Sequence, residues 1–313
     1  MRGKRGAVTA GGARHVSLIV PSRTGNVKAL QAQLARQSLS GWELIVQSRI
    51  APPAKARNLG AAKAQSEILI FLDDDIRFGQ AGLLADLVEA LETTGPASAV
   101  GVGWRLPPDA SAFQRWLMRE SFERQAAEGQ DPASIPWHGL GASCIAIWRQ
   151  AFEALGGFDE QLVSGEDHEL WYRLFCSGGG LYLLPRCWIY HEPPATFRAA
   201  VRKTIWYERG NAQVARKHPA ARYRMPLRSR WHAAAYLLAR TVLLPMLMFI
   251  KVSYQRRRPA IAFRPLAALL SYIGAWAYCL SWFAASAPDA GSPPGRTARD
   301  AVAEGAIAGV GAG

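Results

Sequence analysis

Three consecutive aspartates, Asp73, Asp74 and Asp75, directly follow an apolar run over residues 68–72. A run of this kind predicts a buried strand, so the three carboxylates fall at a strand end, where they repel one another. Oxygen-rich clusters suit a hard divalent cation, Mn²⁺ or Mg²⁺, which can hold a diphosphate and neutralise charge on a leaving group. The alternative is an acidic turn, because aspartate is common in turns. Their position directly after a buried strand favours the metal–diphosphate site.

A second acidic cluster lies at residues 165–169 and contains Glu166 and Asp167. Apolar residues then recur at helical spacing, which places both carboxylates at the start of a predicted helix. There a carboxylate is stabilised as a cap and by the helix dipole. The functional alternative makes Asp167 a general base that deprotonates an acceptor hydroxyl. The residues alone leave both interpretations open. They also leave two interpretations open for His191 at the end of a predicted strand, which is either a metal ligand or a polar residue that ends the strand.

The elements that must position these groups alternate between residues 15 and 195. Short apolar runs typical of strands are separated by segments of helical spacing, such as the apolar repeat between Leu83 and Leu91. This alternation predicts an α/β fold with a mostly parallel central sheet and flanking helices. Such sheets bind ligands at the carboxyl ends of their strands. The predicted strands are residues 15–21, 42–47, 68–72, 97–102 and 187–191.

The composition excludes several classes of protein. The chain has 313 residues, a formal charge of +13 and 50% hydrophobic residues, which excludes a disordered polar tail. Its four cysteines form no CxxC pair, which argues against a zinc site and a disulfide scaffold and favours reduced thiols in a cytosolic protein. The basic start of the chain contains no signal-peptide core. No nucleic-acid recognition motif accompanies the positive charge, so the expected partner is an anionic membrane surface rather than a nucleic acid.

The C-terminal third has a different character. Residues 196–230 contain ten Lys/Arg and one Glu, and two apolar segments follow at residues 233–250 and 266–287. The second segment is long enough to span a membrane, whereas Arg240 and Pro245 interrupt the first. Because basic residues flank the first segment at both ends, it either lies in the membrane interface or re-enters, or it spans at a charge penalty. We therefore expect one or two membrane helices.

The predicted layout has five parts. A basic tail (residues 1–14) precedes the catalytic domain (15–195), a basic connector at the membrane surface (196–231), the membrane helices (232–287) and a disordered tail (288–313).

Four segments carry a resemblance to a known family. They are SLIVPSR (residues 17–23), ARNLGAAKAQSEILIFLDDD (56–75), GASCIAIWRQAFEALGGFDE (141–160) and GEDHELWYRL (165–174), with His191 after them. In this order and spacing they resemble family 2 of the inverting nucleotide-sugar glycosyltransferases, which have the GT-A fold. The resemblance covers residues 16–191. It implies a GT-A fold, a nucleotide-sugar donor and a divalent cation, Mn²⁺ or Mg²⁺.

The resemblance also implies roles for the acidic residues. Asp73 and Asp75 match the pair that contacts the nucleotide ribose and the metal–diphosphate, and Asp74 lies between them and shares that work. Asp167 matches the general base, and Glu166 matches its neighbour near the acceptor. Together they imply a single inverting displacement in which an acceptor hydroxyl attacks the anomeric carbon.

The donor side contains the remaining matches and one departure. Pro21 and Arg57 fall where the family contacts the nucleotide, with Arg23 beside Pro21, and His191 matches a late histidine that approaches the diphosphate and its metal. The second strand of the family usually ends in an aspartate that holds the donor base, and here Gln47 stands in that region. Its amide can hydrogen-bond a base. The identity of the nucleotide therefore stays open.

The C-terminal segments bear on the acceptor and the location. A catalytic domain held at the cytoplasmic face of the inner membrane favours a lipid-linked acceptor, with a growing glycan as the alternative. Two other functions stay open. A nucleotidyltransferase would normally contain a Gly-rich, basic loop that binds a triphosphate, and this function would leave the acidic start of the helix at residues 165–174 unexplained. An inactive membrane-bound scaffold is consistent with Gln47 in place of the aspartate that holds the donor base. Such a protein would have no electrostatic reason to keep Asp73, Asp75 and Asp167.

Overall fold

The computed structural model describes residues 15–118, 131–221, 224–225, 227–248, 250–252, 259–261 and 265–284. The predicted tails, residues 1–14 and 288–313, lie outside the described residues. The strands are β1 (Val16–Ser22), β2 (Trp42–Ser48), β3 (Ile68–Leu72), β4 (Arg77–Phe78), β5 (Ser98–Arg105), β6 (Ala133–Ile135), β7 (Cys144–Trp148), β8 (Gly180–Tyr190), β9 (Ile250–Val252) and β10 (Pro259–Ile261). The helices are α1 (Lys28–Leu34), α2 (Pro53–Lys63), α3 (Leu83–Thr94), α4 (Ala112–Met118), α5 (Arg149–Ala154), α6 (Glu166–Cys176), α7 (Phe197–Lys217), α8 (Arg230–Val242), α9 (Leu244–Leu247) and α10 (Pro265–Ala284).

The central sheet is mixed. Its strand order is β2-β1-β3-β7-β5-β8-β4, with β6 paired to β8, and β9 and β10 form a separate antiparallel pair. Strands β1, β2, β3, β5 and β8 share one direction, and β4, β6 and β7 run the other way. The expectation of a mostly parallel sheet holds for the direction of these five strands, but β7 inserts antiparallel between β3 and β5, so the sheet as a whole is mixed.

Both faces of the sheet are covered by apolar side chains. Along β3, Ile68, Ile70 and Leu72 face one cluster, which α1 and α3 cover, whereas Leu69 and Phe71 face a second cluster with α2, α5 and α6. A strand with helices on both sides has no solvated face, which explains the continuous run of apolar residues. The predicted α/β organisation with flanking helices is confirmed.

Helix α2 approaches the sheet unusually closely. A Cβ placed on Gly60 would lie 2.5 Å from Ile19 Cγ2 of β1, so only glycine fits at this point. Alanines on the same helix, Ala54, Ala56 and Ala61, are buried as well. The close approach brings Arg57, one turn before Gly60, to the carboxyl edge of the sheet.

The C-terminal helices pack onto α7. A third apolar cluster joins α7, α8 and α10 through Ala212, Leu237, Ala275 and Tyr278, among others. The first predicted membrane segment does not form one long helix, because α8 ends at Val242 and the short α9 contains Pro245. Among the described residues, α10 is the one helix whose length and composition would allow it to cross a membrane.

Candidate active site

A cleft of about 780 Å³ opens at the carboxyl edge of the sheet. It lies where β1, β3, β5 and β8 end, and α6 begins and α7 passes at the same place. Nine of the ten residues singled out in the sequence line this cleft: Pro21, Arg23, Arg57, Asp73, Asp74, Asp75, Glu166, Asp167 and His191. The parallel strands thus bring together segments that lie more than a hundred positions apart in the chain.

Gln47 lies elsewhere. It sits in β2 opposite Pro21, but it is buried, and its Oε1 accepts a hydrogen bond from Lys63 Nζ at 3.4 Å. Its side chain faces α2 at Gly60. The structure does not place it among the residues that line the cleft, and its predicted contact with the donor base stays untested.

Asp73, Asp75 and His191 lie close enough together to be candidate ligands of one cation. One oxygen of each carboxylate and one ring nitrogen of His191 all lie within 4.8 Å of one another. Ligands about 2.1 Å from one divalent cation lie roughly 3–4 Å apart, so small side-chain adjustments bring these atoms into range. Carboxylate oxygens suit Mn²⁺ and Mg²⁺, and the imidazole adds a softer ligand that Mn²⁺ accepts more readily. The donor set fits a divalent cation.

The electrostatics of Asp75 agree with this fit. Partial removal from water raises the pKa of Asp75, and the charges of Asp73 and Asp74 raise it further, whereas His191 and Lys203 lower it. Clustered carboxylates that repel one another gain stability from a cation placed between them. The site therefore favours positive charge at the end of β3.

Arg57 connects the two acidic clusters. Its Nη2 donates to Asp73 Oδ1 at 2.8 Å, and its Nη1 donates to Glu166 Oε1 at 2.6 Å. Burial alone would lower the pKa of Arg57, but the charges of Asp73, Glu166 and Asp167 outweigh it and raise the pKa. Two fixed donors of one guanidinium can serve two carboxylates, which the single ammonium of lysine does less well. Arg57 thus sets the spacing between the end of β3 and the start of α6.

Glu166 and Asp167 open α6, as predicted, but they face different partners. Burial raises the pKa of Glu166 and the charge of Asp167 adds to the rise, whereas Arg57 opposes it. Asp167 Oδ2 accepts from the backbone N–H of Ala142 at 3.2 Å, and Oδ1 accepts from its neighbour His168 N–H at 2.7 Å. A carboxylate oxygen has two acceptor sites, so each oxygen of Asp167 can still take a proton or a further hydrogen bond. The backbone bonds fix the direction in which this carboxylate points.

Helix α6 is held in place by a buried ion cluster beneath the cleft. Glu169 is fully buried and accepts from Arg173 Nη2 at 2.7 Å, His218 Nε2 at 2.8 Å and Lys217 Nζ at 3.2 Å. Burial alone would raise the pKa of Glu169, but hydrogen bonds from His218 and Arg173 and the neighbouring positive charges lower it to about 2. The cluster ties α6 to the C-terminal end of α7.

Two cleft residues on α7 were missed in the sequence. Burial lowers the pKa of Lys203, whereas Asp75 and Asp73 raise it, so this ammonium faces the acidic cluster. Removal from water raises the pKa of Tyr207, and the charges of Asp167 and Asp73 add to the rise, so its hydroxyl keeps its proton at neutral pH. Their spacing of four residues places both on one face of a helix. This spacing is the signal in the sequence that points to them, although the charge of the segment predicts only a basic connector.

Part of the chain is similar to known proteins. Residues 22–156 match the model of a family described as Glycosyl transferase family 2. The pre-mycofactocin glycosyltransferase of Mycobacterium tuberculosis is 26% identical over 171 residues, which cover 53% of this chain and 36% of that protein. A putative inactive polypeptide N-acetylgalactosaminyltransferase 12 of Drosophila melanogaster is 26% identical over 153 residues, which cover 45% of this chain and 27% of that protein. The matched part of the chain thus spans only 36% and 27% of the length of these two relatives.

One solved structure with a similar backbone is S. aureus TarS 1–349 in complex with UDP. It is 13% identical with a TM-score of 0.45, and the alignment covers 86% of this chain and 90% of that chain.

The family match supports a glycosyltransferase domain. It includes Arg57 and the three aspartates after β3, and it ends before α6.

Proposed function

We propose that this protein is a divalent-metal-dependent, inverting glycosyltransferase that moves a sugar from a nucleoside-diphosphate donor to an acceptor hydroxyl or phosphate. The observation that supports it best is that Asp73, Asp75 and His191 share one cleft with Asp167. A displacement needs a stabilised leaving group on one side of the anomeric carbon and a base on the other. The family match supports the reaction class.

The donor side is formed by the ends of β1, β3 and β8. Asp73, Asp75 and His191 would hold Mn²⁺ or Mg²⁺, which when bound neutralises negative charge on the diphosphate. Lys203 faces the same carboxylates from α7 and supplies a second positive charge for the diphosphate oxygens. Pro21 and Arg23 line the cleft at the end of β1, where the nucleoside would lie.

The acceptor side is formed by the start of α6. As an acceptor oxygen bonds to the anomeric carbon, Asp167 takes the hydroxyl proton on a carboxylate oxygen, and the electron pair of the breaking bond leaves on the diphosphate. The backbone hydrogen bonds from Ala142 and His168 fix the orientation of the Asp167 carboxylate, which supports this role. Arg57 keeps Glu166 next to it at a fixed distance from the donor side. One displacement with a base and no covalent enzyme intermediate inverts the anomeric carbon.

The acceptor in this proposal is lipid-linked and reaches the enzyme at the cytoplasmic face of the inner membrane. Its support is that Leu270 of the apolar helix α10 lines the cleft, together with Leu117, Leu140 and Trp206. Apolar walls beside a charged centre accommodate the start of a lipid tail behind a polar head group. A growing glycan is the alternative acceptor.

The proposal is tested with a panel of nucleotide-sugars in the presence of Mn²⁺. Asp167→Asn should lower sugar transfer by about 10²–10⁴-fold while the donor dissociation constant stays unchanged, because only the proton acceptor is lost. Asp75→Asn should instead weaken Mn²⁺-dependent donor binding, because a cation ligand is lost.

The matched control is Asp109→Asn, because Asp109 pairs with Arg77 at 2.7 Å and does not line the cleft. It should transfer sugar at the wild-type rate. Wild-type transfer by Asp167→Asn would exclude this residue as the base. Failure of every nucleotide-sugar to bind the folded protein would instead favour an inactive scaffold.

A further inference from the structure

Helix α10 has an apolar stripe that the described residues leave exposed. Trp276, Leu280 and Phe283 are 43%, 65% and 49% exposed, and their spacing of four and three residues places them on one face. Ala275 and Cys279, on another face, are buried in the cluster shared with α7 and α8. A helix that faces water normally shows polar residues on its outer side. The outer side of α10 is instead suited to an apolar surrounding.

Helix α8 repeats this arrangement. Trp231, Leu238 and Val242 are 80%, 65% and 69% exposed and are spaced by seven and four residues, again on one face. Ala233 and Leu237 face inward. Thr241 Oγ1 and Tyr272 Oη are 2.8 Å apart, so α8 and α10 are direct neighbours. Two adjacent helices therefore both expose large apolar side chains.

The charge of the chain is concentrated in the same region. Residues 197–284 contain 16 Lys/Arg and a single acidic residue, Glu208, whereas the whole chain has a net charge of +13. The rest of the chain is therefore slightly acidic. Arg228 and Arg230 are exposed directly before Trp231 at the start of α8. A second copy of this surface would repel the first, whereas a bilayer with anionic head groups attracts both its charges and its apolar stripes.

The lengths and the packing of the two helices favour docking over spanning. Helix α8 has 13 residues, a length of about 20 Å, which is shorter than the hydrocarbon core of about 30 Å. Helix α10 is long enough, but a Cβ on its Gly274 would lie 3.2 Å from Thr204 and 3.3 Å from Glu208 of α7. To span, α10 would have to leave α7, which has Lys203 and Tyr207 in the cleft.

We propose that α8, α9 and α10 dock side-on onto an anionic bilayer, with the two apolar stripes in the head-group region and no helix spanning. The inference deepens the proposed membrane location and does not depend on the proposed transfer reaction. It places the cleft next to the bilayer, because Leu270 of α10 lines the cleft while Trp276, Leu280 and Phe283 are exposed on another face of the same helix. Only α10 then lies between the bilayer and the cleft, and a helix with its side chains is about 10 Å across. A lipid head group can therefore reach the cleft without leaving the bilayer surface.

The test is flotation of the purified chain with phosphatidylcholine vesicles, with and without phosphatidylglycerol. The wild type should float with the anionic vesicles and should be released by alkaline carbonate, as a protein bound at the surface is. Leu238→Glu/Leu280→Glu should lower the vesicle partition coefficient at least tenfold, because two charges would have to enter the interface. The matched control is Leu59→Glu, a 38% exposed leucine on α2, which should float like the wild type.

The proposal would be overturned by no binding of the wild type to anionic vesicles, by retention of the wild type after carbonate, or by equal binding of the double variant. Arg228→Gln/Arg230→Gln, which changes no apolar side chain, should weaken binding to anionic vesicles and reduce its salt dependence. Unchanged binding of this variant would likewise contradict the proposal. Metal-dependent binding of a nucleotide-sugar, measured on the same samples without vesicles, should persist in all variants, so failure to dock and failure of the proposed function are distinguishable.

Discussion

The ion cluster around Glu169 makes the stability of the protein depend on pH in a defined direction. Glu169 is fully buried, and Arg173, Lys217 and His218 surround its carboxylate. These partners lower the pKa of Glu169 from 4.5 to about 2. The native state therefore favours the ionised carboxylate more strongly than the unfolded chain does.

The size and sign of the effect follow from these two values. The difference between 4.5 and about 2 corresponds to roughly 3 kcal/mol of folding free energy at neutral pH. Because the pKa is lowered in the folded state, this contribution is fully present above pH 4.5 and is lost as the pH falls towards 2. About 2 kcal/mol should remain at pH 3.5. Replacing Glu169 with glutamine removes the charge, so the variant should lack this dependence.

The assay is urea unfolding of wild type and Glu169→Gln, followed by tryptophan fluorescence at several values between pH 7 and pH 3.5. The loss of unfolding free energy should be about 3 kcal/mol at pH 7 and should shrink at acidic pH. Glu153→Gln is the matched control, because Glu153 is 63% exposed and lies 3.7 Å from Arg149, and an exposed pair contributes less than about 1 kcal/mol. Equal losses for the two variants at pH 7, or a loss for Glu169→Gln that grows in acid, would refute the reasoning.

Three further predictions concern the cleft. Arg57→Lys should lower the unfolding free energy by about 1–3 kcal/mol, measured in urea, because one ammonium leaves Asp73 or Glu166 without its buried partner. Lys203→Met should raise the donor dissociation constant about tenfold, measured by calorimetry with Mn²⁺, and leave the melting temperature unchanged, since it removes one charge from the diphosphate site. His191→Ala should raise the Mn²⁺ concentration that gives half-maximal transfer, measured by titration after removal of metal with a chelator, because one ligand is lost.

The parts of the site that could be predicted from the sequence depend on local signals. The apolar run of β3 determines where its strand ends, so the three aspartates fall at the carboxyl edge. The apolar repeat after Glu166 determines where α6 begins. The apolar repeat that predicts α3 is buried as well, at Leu83, Leu84, Leu87, Val88 and Leu91. In each case the apolar pattern and the element that it predicts lie within about ten residues of each other, so the periodicity is sufficient to predict the element.

The parts that could not be predicted depend on contacts between distant segments. The antiparallel insertion of β7 between β3 and β5 is set by sheet pairing, and β7 itself is a short apolar run like the others. Arg57 and Glu166 meet across 109 residues, and neither position contains a local signal for the pair. The role of α7 was missed for the same reason, because its basic residues resemble a solvated connector until the fold places Lys203 against Asp75.

Helix α7 connects the two halves of the proposed function. One of its faces contributes Lys203 and Tyr207 to the cleft, and another packs Thr204 and Glu208 against Gly274 of α10. Under the two proposals, positive charge on this part of the chain serves two phosphate-bearing partners, the donor diphosphate within the cleft and the lipid head groups outside it. Lys217 of α7 pairs with Glu169 of α6. A change in the tilt of α10 on docking would therefore be transmitted through α7 to α6, which contains Asp167. A surface-bound α10 keeps α7 in place, whereas a spanning α10 would have to detach from α7.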